Sequence, residues 1–61
     1  MEVLFEFKQI GRTVQVIAID AETGTEVSLQ APAGLSQADM QRQAIAKLRY
    51  VLNKQKADKE S

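Results

Sequence analysis

The sequence predicts an α+β fold: a three-stranded antiparallel meander sheet packed on one C-terminal helix (βββα). Three observations carry this. Apolar and polar residues alternate in three short stretches between Val3 and Ala31, the period of a half-buried strand. Glycine-bearing turns at Gly11 and Gly24 separate the stretches. After Pro32 the apolar spacing becomes helical, and no Gly or Pro follows Ser36.

In the first stretch Val3, Phe5 and Phe7 alternate with Glu2, Glu6 and Lys8, and Leu4 is the exception. Ile10-Gly11-Arg12-Thr13 follows, and glycine at the first central position is the signature of a type II′ hairpin loop. In the second stretch Val14, Val16 and Ala18 alternate with Gln15, Ile17 and Ile19. It is apolar on both faces from Val16 to Ile19, which suits the centre of a sheet. Asp20-Ala21-Glu22-Thr23-Gly24 forms the second turn: Asp20 accepts from turn amides and Gly24 closes the loop in the left-handed region. Val27, Leu29 and Ala31 alternate with Glu26, Ser28 and Gln30, and Pro32, which has no amide hydrogen, ends the strand.

The loop lengths set a register. A two-residue loop at Gly11-Arg12 pairs Ile10 with Thr13, so Phe7 faces Val16 and Phe5 faces Ala18. A four-residue loop pairs Asp20 with Thr25, so Ala18 faces Val27, Val16 faces Leu29 and Val14 faces Ala31. Both hairpins put the same residues of the second strand on one face, whereas a one-residue slip would turn every side chain over. The expected core face is Val3, Phe5, Phe7, Val14, Val16, Ala18, Val27, Leu29 and Ala31.

Ser36 is the expected helix N-cap. Asp39 is placed to return a hydrogen bond in a capping box, and Leu35 and Met40 to form a hydrophobic staple. Met40, Ala44, Ile45, Leu48, Val51 and Leu52 make one apolar stripe. The helix is expected from about Gln37 to Asn53 or a little beyond. Residues 1–53 then form a single domain, and residues 54–61 a fraying polar tail.

With 61 residues, the chain buries only roughly 60% of its unfolded surface. Small domains usually lean on disulfides, a metal or a partner chain. There is no cysteine and no histidine, which removes disulfides, thiolate sites and the commonest transition-metal ligand. A partner chain is the remaining helper. Eight basic residues balance eight acidic ones, against the basic excess usual in nucleic-acid binders. The alternating, acidic residues after Met1 do not read as a secretory signal, and no apolar run approaches a membrane span. A soluble cytoplasmic protein, complete from Met1, is the expectation.

No catalytic constellation stands out. Ser36 has no histidine to activate it and reads as a cap. Asp20, Glu22 and Glu26 gather near the second turn, but calcium needs several oxygen ligands converging on one point, so a turn and a solvated edge are the simpler reading. Gly11 and Gly24 open no helix and so cradle no phosphate. Phe5 and Phe7 would suit base stacking only on an open face. Exposing them would expose Val14, Val16, Val27 and Leu29 and bury Glu6, Lys8 and Glu26, a cost of several kcal/mol, so they are assigned to the core. No catalytic, metal-binding or cofactor-binding residue is assigned, and no cofactor, small-molecule substrate or membrane is expected.

Two surfaces remain. The helix is basic: Arg42, Lys47, Arg49, Tyr50 and Lys54, with Lys56, offer a face for phosphate or an acidic partner. The plainer reading is a solvated face with cations near the helix C-terminus. On the sheet, Leu4 sits opposite Ile19 with Ile17 diagonal to them, ringed by Glu6, Lys8, Gln15, Glu26, Ser28 and Gln30. One helix covers one face, so this apolar patch with a polar rim lies open.

The segments Glu2-Val3-Leu4-Phe5-Glu6-Phe7, Ala18-Ile19-Asp20, Thr23-Gly24-Thr25-Glu26-Val27-Ser28, Pro32 and Ala46-Lys47-Leu48-Arg49-Tyr50-Val51-Leu52 resemble a family of small, functionally uncharacterised bacterial proteins, mostly alphaproteobacterial. The resemblance implies a βββα fold and transfers no activity or site residue. Plant-type DNA-binding domains share the topology and read DNA with arginines on the open sheet face. Here that face carries Glu6, Glu26, Ser28 and Gln30 with only Lys8, so the topology lends no functional support. The expected function is a non-enzymatic interaction or accessory module, homodimeric or bound to another protein, through Leu4, Ile17 and Ile19. The alternative is weak nucleic-acid binding through the helix cations.

Overall fold

The structure is a computed structural model that describes residues 1–60, with side chains through Ala57. β1 (Val3–Ile10), β2 (Thr13–Asp20) and β3 (Glu26–Pro32) form one antiparallel sheet in the order β1-β2-β3, and α1 (Gln37–Glu60) follows. The register is the expected one: Ile10 pairs with Thr13, Phe7 with Val16 and Phe5 with Ala18. Across the other ladder Val14 pairs with Ala31, Val16 with Leu29 and Ala18 with Val27.

Both turns show why. Gly11 has φ +63° and among the described residues no non-glycine has positive φ, so Arg12 does not. This is the pattern of a type II′ loop, whose twist matches that of the flanking strands. Gly24 at φ +75° closes the second loop and donates to the Asp20 carbonyl at 2.8 Å. The Asp20 amide donates to the Thr25 carbonyl at 2.8 Å. Inside the loop the Asp20 carboxylate accepts the Thr23 hydroxyl at 2.8 Å and the Glu22 amide at 3.3 Å.

Ser36 Oγ accepts the Asp39 amide at 3.1 Å, and the Ser36 carbonyl accepts the Met40 amide at 3.0 Å. This is the N-cap geometry. The reciprocal bond of a capping box is not formed, because the Asp39 carboxylate turns to Arg42 Nη1, 3.1 Å away. Leu35 and Met40 both pack against the core and flank the helix start.

The core is Val14, Val16, Ala18, Val27 and Ala31 from the sheet with Met40, Ala44 and Leu48 from the helix. Ala18, Ala44, Val16 and Leu48 are fully buried. The helix lies over β2 and β3 and hardly reaches β1. Its short connector explains the placement: the Ala33 amide donates to the Arg12 carbonyl and the Leu35 amide to the Pro32 carbonyl, at 2.9 and 3.0 Å. The chain therefore turns directly from the end of β3 into the helix.

Two expectations are corrected. Phe7 is not core. It is 36% exposed, because the helix is seated on β2 and β3 and leaves the Phe7 end of β1 uncovered. Val3, Phe5 and Leu29 are half-buried at the margin. The helix also runs to Glu60 rather than ending near Asn53. Residues 53–57 are exposed, so their helicity owes more to good helix formers than to packing. The last residue of the expected tail, Ser61, lies outside the described residues.

Candidate functional site

The alternation of an antiparallel ladder decides where each backbone group points. Asp20 bonds across to Thr25 on the β3 side, and Ala21 donates to the Glu2 carbonyl on the β1 side at 3.0 Å. Within β2, therefore, even-numbered residues serve β3 and odd-numbered residues serve β1. Leu4, Glu6, Lys8 and Ile10 direct their backbone groups to their partners Ile19, Ile17, Gln15 and Thr13. Val3, Phe5, Phe7 and Gln9 direct theirs outward, along a free edge.

Side chains divide the same way. On the helix side of β1 the Phe5 and Phe7 rings stack, with centroids 6.2 Å apart and planes 18° from parallel. Phe7, Gln9, Val14, Leu35, Gln37 and Met40 line an open groove between β1 and the start of α1. On the outer side Leu4 and Ile10 are 54% and 63% exposed. Leu4 lies opposite Ile19, and Ile17 is opposite Glu6. Leu4, Ile17 and Ile19 are thus brought together on the open face, with Ile17 and Ile19 half-buried by their neighbours.

Ile10, Phe7 and the free edge of β1 are absent from the sequence-based list of site residues. Phe7 has the same alternation as Val16 and reads as core for that reason. The offset of the helix towards β2 and β3 is what leaves Phe7 at the margin, and alternation along β1 carries no signal of it.

The basic helix face is partly engaged. Lys47 Nζ donates to the Ser28 carbonyl at 2.6 Å, and Arg42 pairs with Asp39. Arg49, Tyr50 and Lys54 are exposed. Lys47 thereby bridges helix and sheet.

Asp20 is the one buried charged residue among the described residues. The Thr23 hydroxyl, before other causes, holds its carboxyl below the ordinary carboxylate range; burial opposes this, and the Glu22 and Thr23 amides reinforce it. Its hydrogen bonds are spent inside the turn, which makes it a loop anchor. Among the described residues no group of three acidic, His or Cys side chains gathers to hold a metal ion. No helix is long and apolar enough to cross a membrane.

Residues 1–55 match the model of a family described as a domain of unknown function, DUF6898. The chain belongs to that family. The match spans the whole sheet and the packed part of α1, so the β1 edge and the open face lie within the DUF6898 domain. No curated protein and no solved structure matches the chain.

Proposed function

We propose that this DUF6898 chain is a cytoplasmic, non-enzymatic interaction module whose contact surface is the apolar outer face of the sheet around Leu4, Ile17 and Ile19. The observation that carries the reading is the distribution of exposed apolar side chains. Of the large exposed ones among the described residues, Leu4 and Ile10 stand on the outer side of β1, beside the half-buried Ile17 and Ile19 of β2, and Phe7 stands on its helix side. Scattered apolar surface is ordinary, whereas apolar side chains gathered on one strand and its neighbour suit a contact.

Phosphate recognition by the helix has less support. Lys47 is committed to Ser28 and Arg42 to Asp39, and the formal net charge is zero.

The test is affinity capture from a bacterial lysate on the native chain and on Leu4→Lys/Ile17→Lys, read for protein and for nucleic acid. The expected result is a protein, another copy included, held by the native chain at high salt and lost with the variant. Retention of nucleic acid that falls steeply with salt and disappears on Arg42→Ala/Arg49→Ala would overturn the reading.

A further inference from the structure

Resting on the proposed role as an interaction module but moving the contact from the outer face to the neighbouring strand edge, we infer that the partner is a second copy of this chain, paired through the free edge of β1 in one register, with Phe7 opposite Phe7 across a two-fold axis.

An edge strand with unpaired N–H and C=O groups is a template for another strand. β1 offers eight residues without Pro and without a bulge in its pairing to β2. The outward groups of Val3, Phe5, Phe7 and Gln9 meet no hydrogen-bonding partner among the described residues. The other outer strand is obstructed at two points along its free edge. The outward Ser28 carbonyl is taken by Lys47, the outward Pro32 carbonyl is taken by the Leu35 amide, and Pro32 has no donor. The helix lies away from β1 and leaves room for a neighbouring strand.

Chemistry selects the register. Since the odd-numbered residues of β1 face outward, antiparallel pairing with a copy makes the paired residue numbers sum to an even value. A sum of 12 sets Glu6 against Glu6, and a sum of 16 sets Lys8 against Lys8; like charges directly opposite are destabilising. A sum of 8 sets Glu2 against Glu6. A sum of 10 sets Leu4 against Glu6 and leaves Ile10 without a partner. A sum of 14 sets Phe7 against Phe7, Glu6 against Lys8 of the second copy twice over, and Leu4 against its Ile10 twice over. That register pairs the opposite charges and sets the exposed apolar side chains of β1 beside one another across the seam. The result is a six-stranded sheet, β3-β2-β1 continuing into β1-β2-β3 of the copy, with both helices on the same face.

The test combines charge reversal with amide exchange. Glu6 and Lys8 are exposed and in no ion pair within the chain among the described residues, so both tolerate reversal; circular dichroism checks the fold. Sedimentation equilibrium up to about 1 mM should show a dimer for the native chain. It should be weakened roughly tenfold or more by Glu6→Lys or by Lys8→Glu, and restored in the double variant. Amides of Phe5, Phe7 and Gln9 should gain exchange protection as concentration rises, while those of Glu6 and Lys8 are protected throughout. Dimers without that gain, broken instead by Ile17→Lys, would overturn edge pairing and leave the outer-face reading standing. Protection without rescue would overturn the register. A monomer at every concentration would overturn self-pairing, and the lysate capture then decides the broader reading alone.

Discussion

β1 and β3 are the two outer strands of one sheet, similar in length and alternation, and the fold treats them in opposite ways. β3 is roofed by α1, has Lys47 on its Ser28 carbonyl and ends in Pro32. β1 is only partly roofed, with Val3 and Phe5 half-buried; it has no proline and, among the described residues, no side chain on its edge, and it carries Leu4, Phe7 and Ile10 exposed. The difference teaches that coverage here follows connectivity. The helix leaves directly from the end of β3 and lies over the strands nearest its origin. The strand furthest from it in the sheet is left with a stacked aromatic pair and a bare edge.

The largest effect expected from this comparison is on stability. Leu48 is fully buried on the sheet-facing side of α1, so Leu48→Ala should cost about 3 kcal/mol, enough to bring so small a domain close to unfolding. Phe7→Leu on β1 should cost under about 1 kcal/mol in dilute solution, since the ring is partly solvated and the swap keeps an apolar side chain. Urea midpoints measured at low concentration check both, and equal losses would mean that β1 is as firmly built as the rest.

A smaller effect belongs to the loop joining β2 to β3. The Asp20 carboxyl is held below its ordinary value of 3.8 chiefly by the Thr23 hydroxyl. A carboxyl with a lowered folded value contributes stability above its unfolded value, and the contribution fades as pH falls through the folded one. The urea midpoint should therefore decline as pH is lowered below about 4, and Asp20→Asn should flatten part of that decline. A decline of the same steepness in the variant would assign the acid sensitivity to other carboxyls.

Much of this was legible in the sequence, and the legible parts share a physical cause: each is local. Gly11 and Gly24 specify turns, the turns specify loop lengths, and loop lengths with alternation specify the register. Ser36 announces the helix start through a bond to an amide three residues on. The illegible parts are lateral. Alternation says which face of β1 turns towards the helix, not whether the helix reaches it, so Phe7 reads like Val16. The Lys47 bond to Ser28 joins a flexible cation to a backbone carbonyl, and any residue type could have supplied that acceptor. The helix beyond Asn53 has no apolar stripe to reveal it. Of the candidate surface, Leu4, Ile17 and Ile19 follow from the register, while Ile10 and the free edge required knowing where the helix lies.

The central claim is that the exposed apolar residues of β1 serve association rather than stability. The measurement that tests it most directly is sedimentation equilibrium of Leu4→Thr/Ile10→Thr beside its urea midpoint in dilute solution. Threonine, being β-branched, suits a strand at both positions while reducing apolar surface. The account predicts a midpoint close to the native one and a chain that stays monomeric at concentrations where the native chain pairs. A variant that pairs as well as the native chain, or one that loses its fold, would contradict it.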